Sequence, residues 1–247
     1  MIKLIENFND YDFSLFENDV FFQRIKSEYN VSSSFSDALF YVSISDFGVN
    51  AVISKVSGNV TLSALENAPF EELCEFISVI GYAVILCDEN YSSHFNGDKT
   101  QGYILKAKAG SFEDCKVKLL YSENLKDMFM LLEEVFSLDN DYMFWVADLS
   151  HKIRHNSATA CGILKNNKLV SVGFSLFETS VSAVISSVAT DESFRSEGLG
   201  GEVVKKLLSI NEGKDVYVFI ENEMLKSWYK KFGFAEYKKW SEIKNVL

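Results

Sequence analysis

Three of the chain's 13 glycines, Gly198, Gly200 and Gly201, fall within four positions of the stretch "FRSEGLGGEVVKKLL". A run of small and β-branched residues, "VSAVISSVAT", precedes them and a helical pattern follows. The glycines therefore mark a turn from a strand into a helix, where backbone N–H groups without intrahelical partners attract anions. Without side chains at these positions the backbone can close on a phosphate, and Arg195 adds a charge with bidentate donors. A tight connection with an incidental arginine is the plainer use of the same residues. Two other phosphate patterns fail on spacing. Val203 stands where G-x-G-x-x-G needs its last glycine, and no G-x-x-x-x-G-K-[ST] occurs.

Other residues of catalytic type lie upstream. In "WVADLSHKIRHN", His151 and His155 are four apart and would share a helix face beside Arg154. Lys152 occupies the place that a zinc protease gives to glutamate, so the pair is poor evidence for a metal. Asp148 and Glu178 are the nearby carboxylates. An exposed or capping role for the histidines is the alternative, and His94 reads as a surface residue.

The elements around these residues read as an α/β chain with a mixed sheet. A helical region over about 9–30 precedes three β-rich runs, "DALFYVSIS", "VNAVISKVS" and "NVTLSAL", broken at Phe47-Gly48 and Gly58-Asn59. Pro69 opens a helix that Gly81 closes, followed by strand "YAVILC", a polar loop and strand "YILKAKA". The order then restarts: strand "KVKLLYS", helix "ENLKDMFMLLEEVF", helix "DYMFWVADLSHKIRHN", and a hairpin turning at Asn166-Asn167. Strand "VSAVISSVAT", a helix over 198–210, strand "DVYVFI", helix "NEMLKSWYKKF" and strand "FAEYKKW" complete it. The repeated order predicts two related modules, 1–112 and 113–247, without visible sequence identity.

Composition narrows the function. The net charge of −11 argues against non-specific nucleic-acid binding. The longest apolar runs are too short for a bilayer, and "MIKLIENFND" has no signal-peptide pattern, which predicts a cytoplasmic protein. Cys74, Cys87, Cys115 and Cys161 lie far apart with no C-x-x-C, as expected of reduced, mostly buried thiols without a metal. Aromatic residues, Trp145, Trp228 and Trp240 among them, are expected mainly in packing.

The spacing R-x-x-G-x-G from Arg195 to Gly200 resembles the acyl-CoA loop of the GCN5-related N-acetyltransferase (GNAT) superfamily. Downstream, "NEMLKSWYKKFGF" resembles that family's N-E-x-A-x-x-x-Y-x-x-x-G-F, with Asn222, Glu223, Tyr229, Gly233 and Phe234 in place and Leu225 replacing the alanine. The resemblance covers about 113–247 and implies a GNAT fold, with 1–112 a degenerate module lacking the loop. It implies that Val188, Ala189 and Thr190 pair their main chain with the pantetheine arm. It also implies that Ser196, Glu197, Gly198, Leu199, Gly200 and Gly201 hold the pyrophosphate. Asn222 would bond near the thioester arm and Tyr229 would donate a proton to the CoA thiolate. Thr190 and Glu192 replace the family's valine and proline. Tyr217 stands where some members carry a glutamate base, which leaves Glu178 or His151 as candidates and His151, Arg154 and His155 for the acceptor site. The implied activity is acetyl transfer from acetyl-CoA to a primary amine of a small molecule or peptide. The alternatives are a catalytically silent acyl-CoA-binding regulatory module and a purely structural partner protein.

Overall fold

The structure is a computed structural model describing residues 1–112, 116–138 and 141–245; Cys115 lies outside them. Two compact units emerge, and neither is a single stretch of chain. One comprises Met1–Ile104, Ile220–Asn222 and Tyr237–Leu247; the other comprises Leu105–Phe219 and Glu223–Glu236.

The first unit contains β1 (Ile2–Leu4), α1 (Val20–Ser32), β2 (Ala38–Ser45), β3 (Gly48–Val56), β4 (Asn59–Ala64), α2 (Phe70–Ile80) and β5 (Val84–Asp88). It also takes most of β12 (Ala235–Lys244) and the first part of β6 (Asp98–Lys108). Its strand order is β1-β2-β3-β4-β5-β12-β6. β2, β3 and β4 form the antiparallel meander, and β4 runs parallel to β5 with Asn59, Val60 and Thr61 opposite Val84, Ile85 and Leu86.

The second unit contains β7 (Lys118–Leu120), α3 (Leu125–Phe136), α4 (Tyr142–Arg154), β8 (Ala158–Lys165), β9 (Lys168–Leu176), β10 (Ser182–Thr190), α5 (Leu199–Ile210), β11 (Asp215–Ile220) and α6 (Glu223–Lys230). From one edge its order is β7-β8-β9-β10-β11-β6. β10 and β11 are the parallel pair. Both units thus run through an antiparallel meander into a parallel pair, and each is completed by a strand from the other half of the chain.

Three elements differ from the sequence reading. The helix expected from residue 9 begins at Val20, capped by Asp19, whose carboxylate accepts from Phe22 N–H. The preceding aromatics sit on or beside short 3-10 turns, and Phe8 and Phe13 pack there against each other and against Phe22 of α1, with rings 4.6–5.9 Å apart. Their spacing imitates helical periodicity, but ring contacts set it. β6 begins at Asp98 rather than 103 because its polar start is held by sheet neighbours, which composition does not reveal. β1, a three-residue edge strand, carries too few residues for a pattern and is held by pairing with β2. The Asn166-Asn167 turn has left-handed φ values of 51° and 63°, as its side chains allow.

Among the described residues no helix is long and apolar enough to cross a membrane, and no group of three or more His, Cys, Asp or Glu side chains is placed to hold a metal ion. Cys74, Cys87 and Cys161 are thiols, the last two buried. Burial, with Asp88 beside it, pushes the Cys87 thiol up to about 12, which keeps it protonated and inert.

Candidate active site at the glycine turn

The site begins in β10. Its ladder with β11 covers only Ser182–Ile185 against Asp215–Val218, although β10 continues to Thr190. Beyond Ile185 it pairs with β9 alone, so one main-chain edge of Ser186–Thr190 is left unladdered. A bulge lies in that stretch: Ser186 opposes Phe174 and Ala189 opposes Val172, placing an extra residue on β10. Ser187 takes a left-handed φ of 51° within it. Bulges bend a strand and increase its twist, which turns β10 away from its partner. Gly173 faces the bulge, where an added Cβ would come within 2.6 Å of Val203 on α5.

After Thr190 the chain is pinned before it reaches the glycines. Asp191 is 1 % exposed; its carboxylate accepts from Ser193 N–H at 2.9 Å and pairs with Lys168 at 2.5 Å. The Lys168 hydrogen bond, reinforced by the Ser193 amide, holds the Asp191 carboxyl below the usual range. The main chain joins in, with Asp191 N–H donating to Val170 O. Arg195 is tethered by Nε to Thr190 O at 3.4 Å and keeps about half of its side chain in solvent. Lys165 pairs with Glu197 and lies over the Phe194 ring.

The amides that follow are unclaimed. Gly198 is the N-cap of α5 at φ 81°, and no side chain caps that end. Among the described residues, none of the N–H groups of Ser196 to Gly201 donates to a protein acceptor. They border an open cleft of about 390 Å³ whose walls include Thr190, Arg195, Gly200, Trp228 and Lys231.

The three glycines have three separate reasons. Gly198 supplies the left-handed backbone. At Gly200 a Cβ would make ordinary contacts, 3.4 Å from Thr190 Oγ1 and 3.7 Å from Trp228, so its absence widens the cleft. Gly201 admits Phe232, whose ring would lie 3.1 Å from an added Cβ. Gly201 thus serves the packing of Phe232 against α5.

Tyr229, on α6, is 5 % exposed and edge-on to Phe234 at 5.4 Å. Burial raises its phenol well above the ordinary tyrosine range. Trp228 and Lys231 border the cleft, and both roles escape sequence inspection. The signal available was their place beside Tyr229 in the second motif. Asn222, exposed just before α6, belongs by packing to the first unit.

The candidate base and acceptor residues gather elsewhere. Glu178 follows β9, whose Leu176 opposes Val184 near the start of β10, and it faces Lys214 at 3.4 Å. Glu178 N–H donates to Ser157 O, and Ser157 N–H to Lys152 O, so the end of α4 lies at the same end of the sheet. His151 and His155 do share a face, with rings 4.3 Å apart. Asp148 is paired with Lys152. From Ser182 to Thr190 a strand spans about 26 Å. The structure therefore brings Val188, Ala189, Thr190 and the 195–201 turn together, and it sets Glu178, His151, Arg154 and His155 at the opposite end of β10.

Residues 160–242 match the family model described as FR47-like protein. No curated protein matches the chain. Among solved structures, a putative GNAT-family acetyltransferase from Novosphingobium aromaticivorans is similar at TM-score 0.56 and 15 % identity, over 90 % of this chain and 97 % of that one. A GNAT-family acetyltransferase from Colwellia psychrerythraea aligns over the whole of both chains at TM-score 0.57 and 11 % identity. A tandem GNAT protein from the clavulanic acid biosynthesis pathway aligns over 89 % of this chain and 86 % of its own, at TM-score 0.58 and 10 % identity. These likenesses show that the chain has the GNAT acetyltransferase fold, and its residues 160–242 match the FR47-like model.

Proposed function

We propose that the protein is an acyl-CoA-dependent N-acyltransferase that moves an acetyl group from acetyl-CoA to a primary amine of a small molecule or peptide. The observation that carries this reading is the unladdered edge of Ser186–Thr190 leading into the uncapped amides of 196–201. The residues present suit the cosubstrate: a Cβ at Gly200 would project toward Thr190 and Trp228 in the cleft, and the exposed donors face an anion without competition from a side chain.

Acetyl-CoA supplies an activated thioester carbonyl. The amides of 196–201 and Arg195 bind and orient the phosphates, while Val188, Ala189 and Thr190 offer main-chain groups to the extended arm. On this reading an N–H of the same stretch stabilises the negative charge that develops on the carbonyl oxygen. Tyr229 keeps its proton across the physiological range and acts as a hydrogen-bond donor to the leaving sulfur. A buried phenol is a weaker acid than a thiol of pKa about 8.5, so full proton transfer from it is uphill.

The amine must be neutral to attack. The candidate bases are Glu178 and His151, whose distance from the turn is compatible with that role because the extended arm carries the thioester away from the phosphates. Tyr217, standing where some members carry a glutamate, favours as a second reading a silent acyl-CoA-binding module. The first half and second half, 1–112 and 113–247, are on this reading a degenerate and a functional copy of one module, supported by their matching strand orders. The protein is expected in the cytoplasm, without nucleic-acid or membrane partners.

Calorimetry with CoA and acetyl-CoA, followed by thiol release across amines, polyamines, amino acids and aminoglycosides, tests the proposal. Absence of CoA binding overturns both readings, and binding without turnover on any acceptor selects the second.

A further inference from the structure

The cleft has an uneven charge for this protein. In a chain of net charge −11, its walls hold two cations, Arg195 and Lys231, and no carboxylate. Four other lysines of the same unit are held in ion pairs: Lys165 with Glu197, Lys168 with Asp191, Lys205 with Glu202 and Lys226 with Glu236. Lys231 is exposed; its main-chain N–H donates to Trp228 O, while among the described residues its ammonium has neither an ion pair nor a hydrogen bond. It follows α6, whereas Arg195 precedes α5, and both line the cleft with Trp228 and Gly200. Two cations on different elements suit a ligand with more than one anionic group.

From this we infer that Lys231 receives a second phosphate, the phosphomonoester on the ribose of the CoA nucleotide, while Arg195 and the turn amides hold the pyrophosphate. The inference rests on the acyl-CoA reading and deepens it. An esterified pyrophosphate carries two negative charges, which the positive end of α5 (about half an elementary charge) and Arg195 largely balance. A phosphomonoester adds about −1.5 to −2 at neutral pH, as a phosphorylated side chain does, and requires a further cation. Lysine suits this site as a mobile point charge. An ammonium without a carboxylate partner gives up no ion pair on binding. Lys231 is accordingly a specificity residue that separates CoA from nucleotides lacking the monoester.

The test is calorimetry of the full chain with CoA, dephospho-CoA and adenosine 3′,5′-bisphosphate at two salt concentrations. It uses the wild type, Lys231→Gln, Lys231→Arg and, as a surface control, Lys230→Gln, with thermal melts to verify folding. The wild type should bind CoA about twofold to fivefold more tightly than dephospho-CoA, a margin in keeping with an exposed ion pair and shrinking with salt. Lys231→Gln should erase the margin and weaken adenosine 3′,5′-bisphosphate, while leaving dephospho-CoA unchanged. Lys231→Arg should restore it and Lys230→Gln should keep it. Equal wild-type affinity for CoA and dephospho-CoA, or an equal loss on both in Lys231→Gln, overturns the inference and leaves the acyl-CoA reading standing. Failure of the wild type to bind either ligand overturns that reading and the inference with it.

Discussion

Lys238 donates to Asp19 Oδ1 at 2.9 Å across 219 positions of chain, and lies 3.3 Å from Asp88. Asp19 also caps α1 and accepts from Ser63 at 2.6 Å, so one carboxylate joins a helix start, a meander strand and the returning strand β12. Burial opposes the charge on Lys238, but the two carboxylates more than offset it and hold the ammonium above its usual range.

Lys238→Met should lower stability by about 1–3 kcal/mol, less than for a fully buried pair because a third of the side chain meets water. The sign follows from the raised folded-state pKa. The lysine's contribution is complete below its unfolded value of about 10.4 and disappears as pH climbs through the higher folded value. Denaturant midpoints should therefore fall in that alkaline window for the wild type and less steeply for the variant. Parallel curves would remove Lys238 from the titration.

The three glycines separate cleanly by substitution. Gly198→Ala should cost about 1–2 kcal/mol for a left-handed residue with a Cβ. Gly201→Ala should destabilise through Phe232, with partial recovery on adding Phe232→Leu. Gly200→Ala should hold or raise the melting temperature, since alanine in a helix is favoured over glycine by about 1 kcal/mol, yet weaken CoA binding. If Gly200→Ala binds CoA as well as the wild type, the cleft does not hold the cosubstrate as proposed.

Tyr229 should be absent from the pH profile. Its phenol, raised by burial, stays protonated through the assay range, so the rise of kcat/KM with pH should follow the amine substrate, whose pKa is about 10.4 for a lysine-like acceptor. Tyr229→Phe should lower kcat by about tenfold, as expected for losing one hydrogen bond to developing charge, with the same pH limb. A limb that moves in the variant would show that the phenol titrates.

One molecule of CoA should bind per chain. The first unit has its own parallel pair, β4 with β5, laddered only to Thr61 although β4 runs to Ala64. Tyr91 lies at the end of β4, its hydroxyl donating to Ala64 O at 3.0 Å. The helix that follows begins at Phe70 behind Pro69 with no glycine turn. Calorimetry should return a stoichiometry of one for the wild type and for Tyr91→Phe, the latter destabilised by about 1 kcal/mol for the lost hydrogen bond. Two equivalents in either protein would contradict this account.

Where a local rule governs, sequence reading and structure agree. Gly198 at an α-helix start, Asn166-Asn167 at a hairpin and Gly81 after a helix report backbone φ values that few side chains permit. The motif from Asn222 to Phe234 is likewise local, and Tyr229 and Phe234 pack as neighbours. Phe13 and Phe16 have helical spacing but flank a 3-10 turn, where a three-residue repeat puts both rings against Phe22 of α1.

Most of the element order, the glycine turn and Arg195 beside it were legible in the sequence because neighbours within a few positions set them, whereas β1 and the true start of α1 were not. Only the tertiary structure decided which far-apart residues meet. It placed Lys231 and Trp228 on the cleft, set Glu178 and His151 at the opposite end of β10, and gave β12 to the first unit and the end of β6 to the second. The physical reason is that strand partners and cleft walls are chosen by backbone hydrogen bonding and packing between distant segments, which no residue's own type encodes.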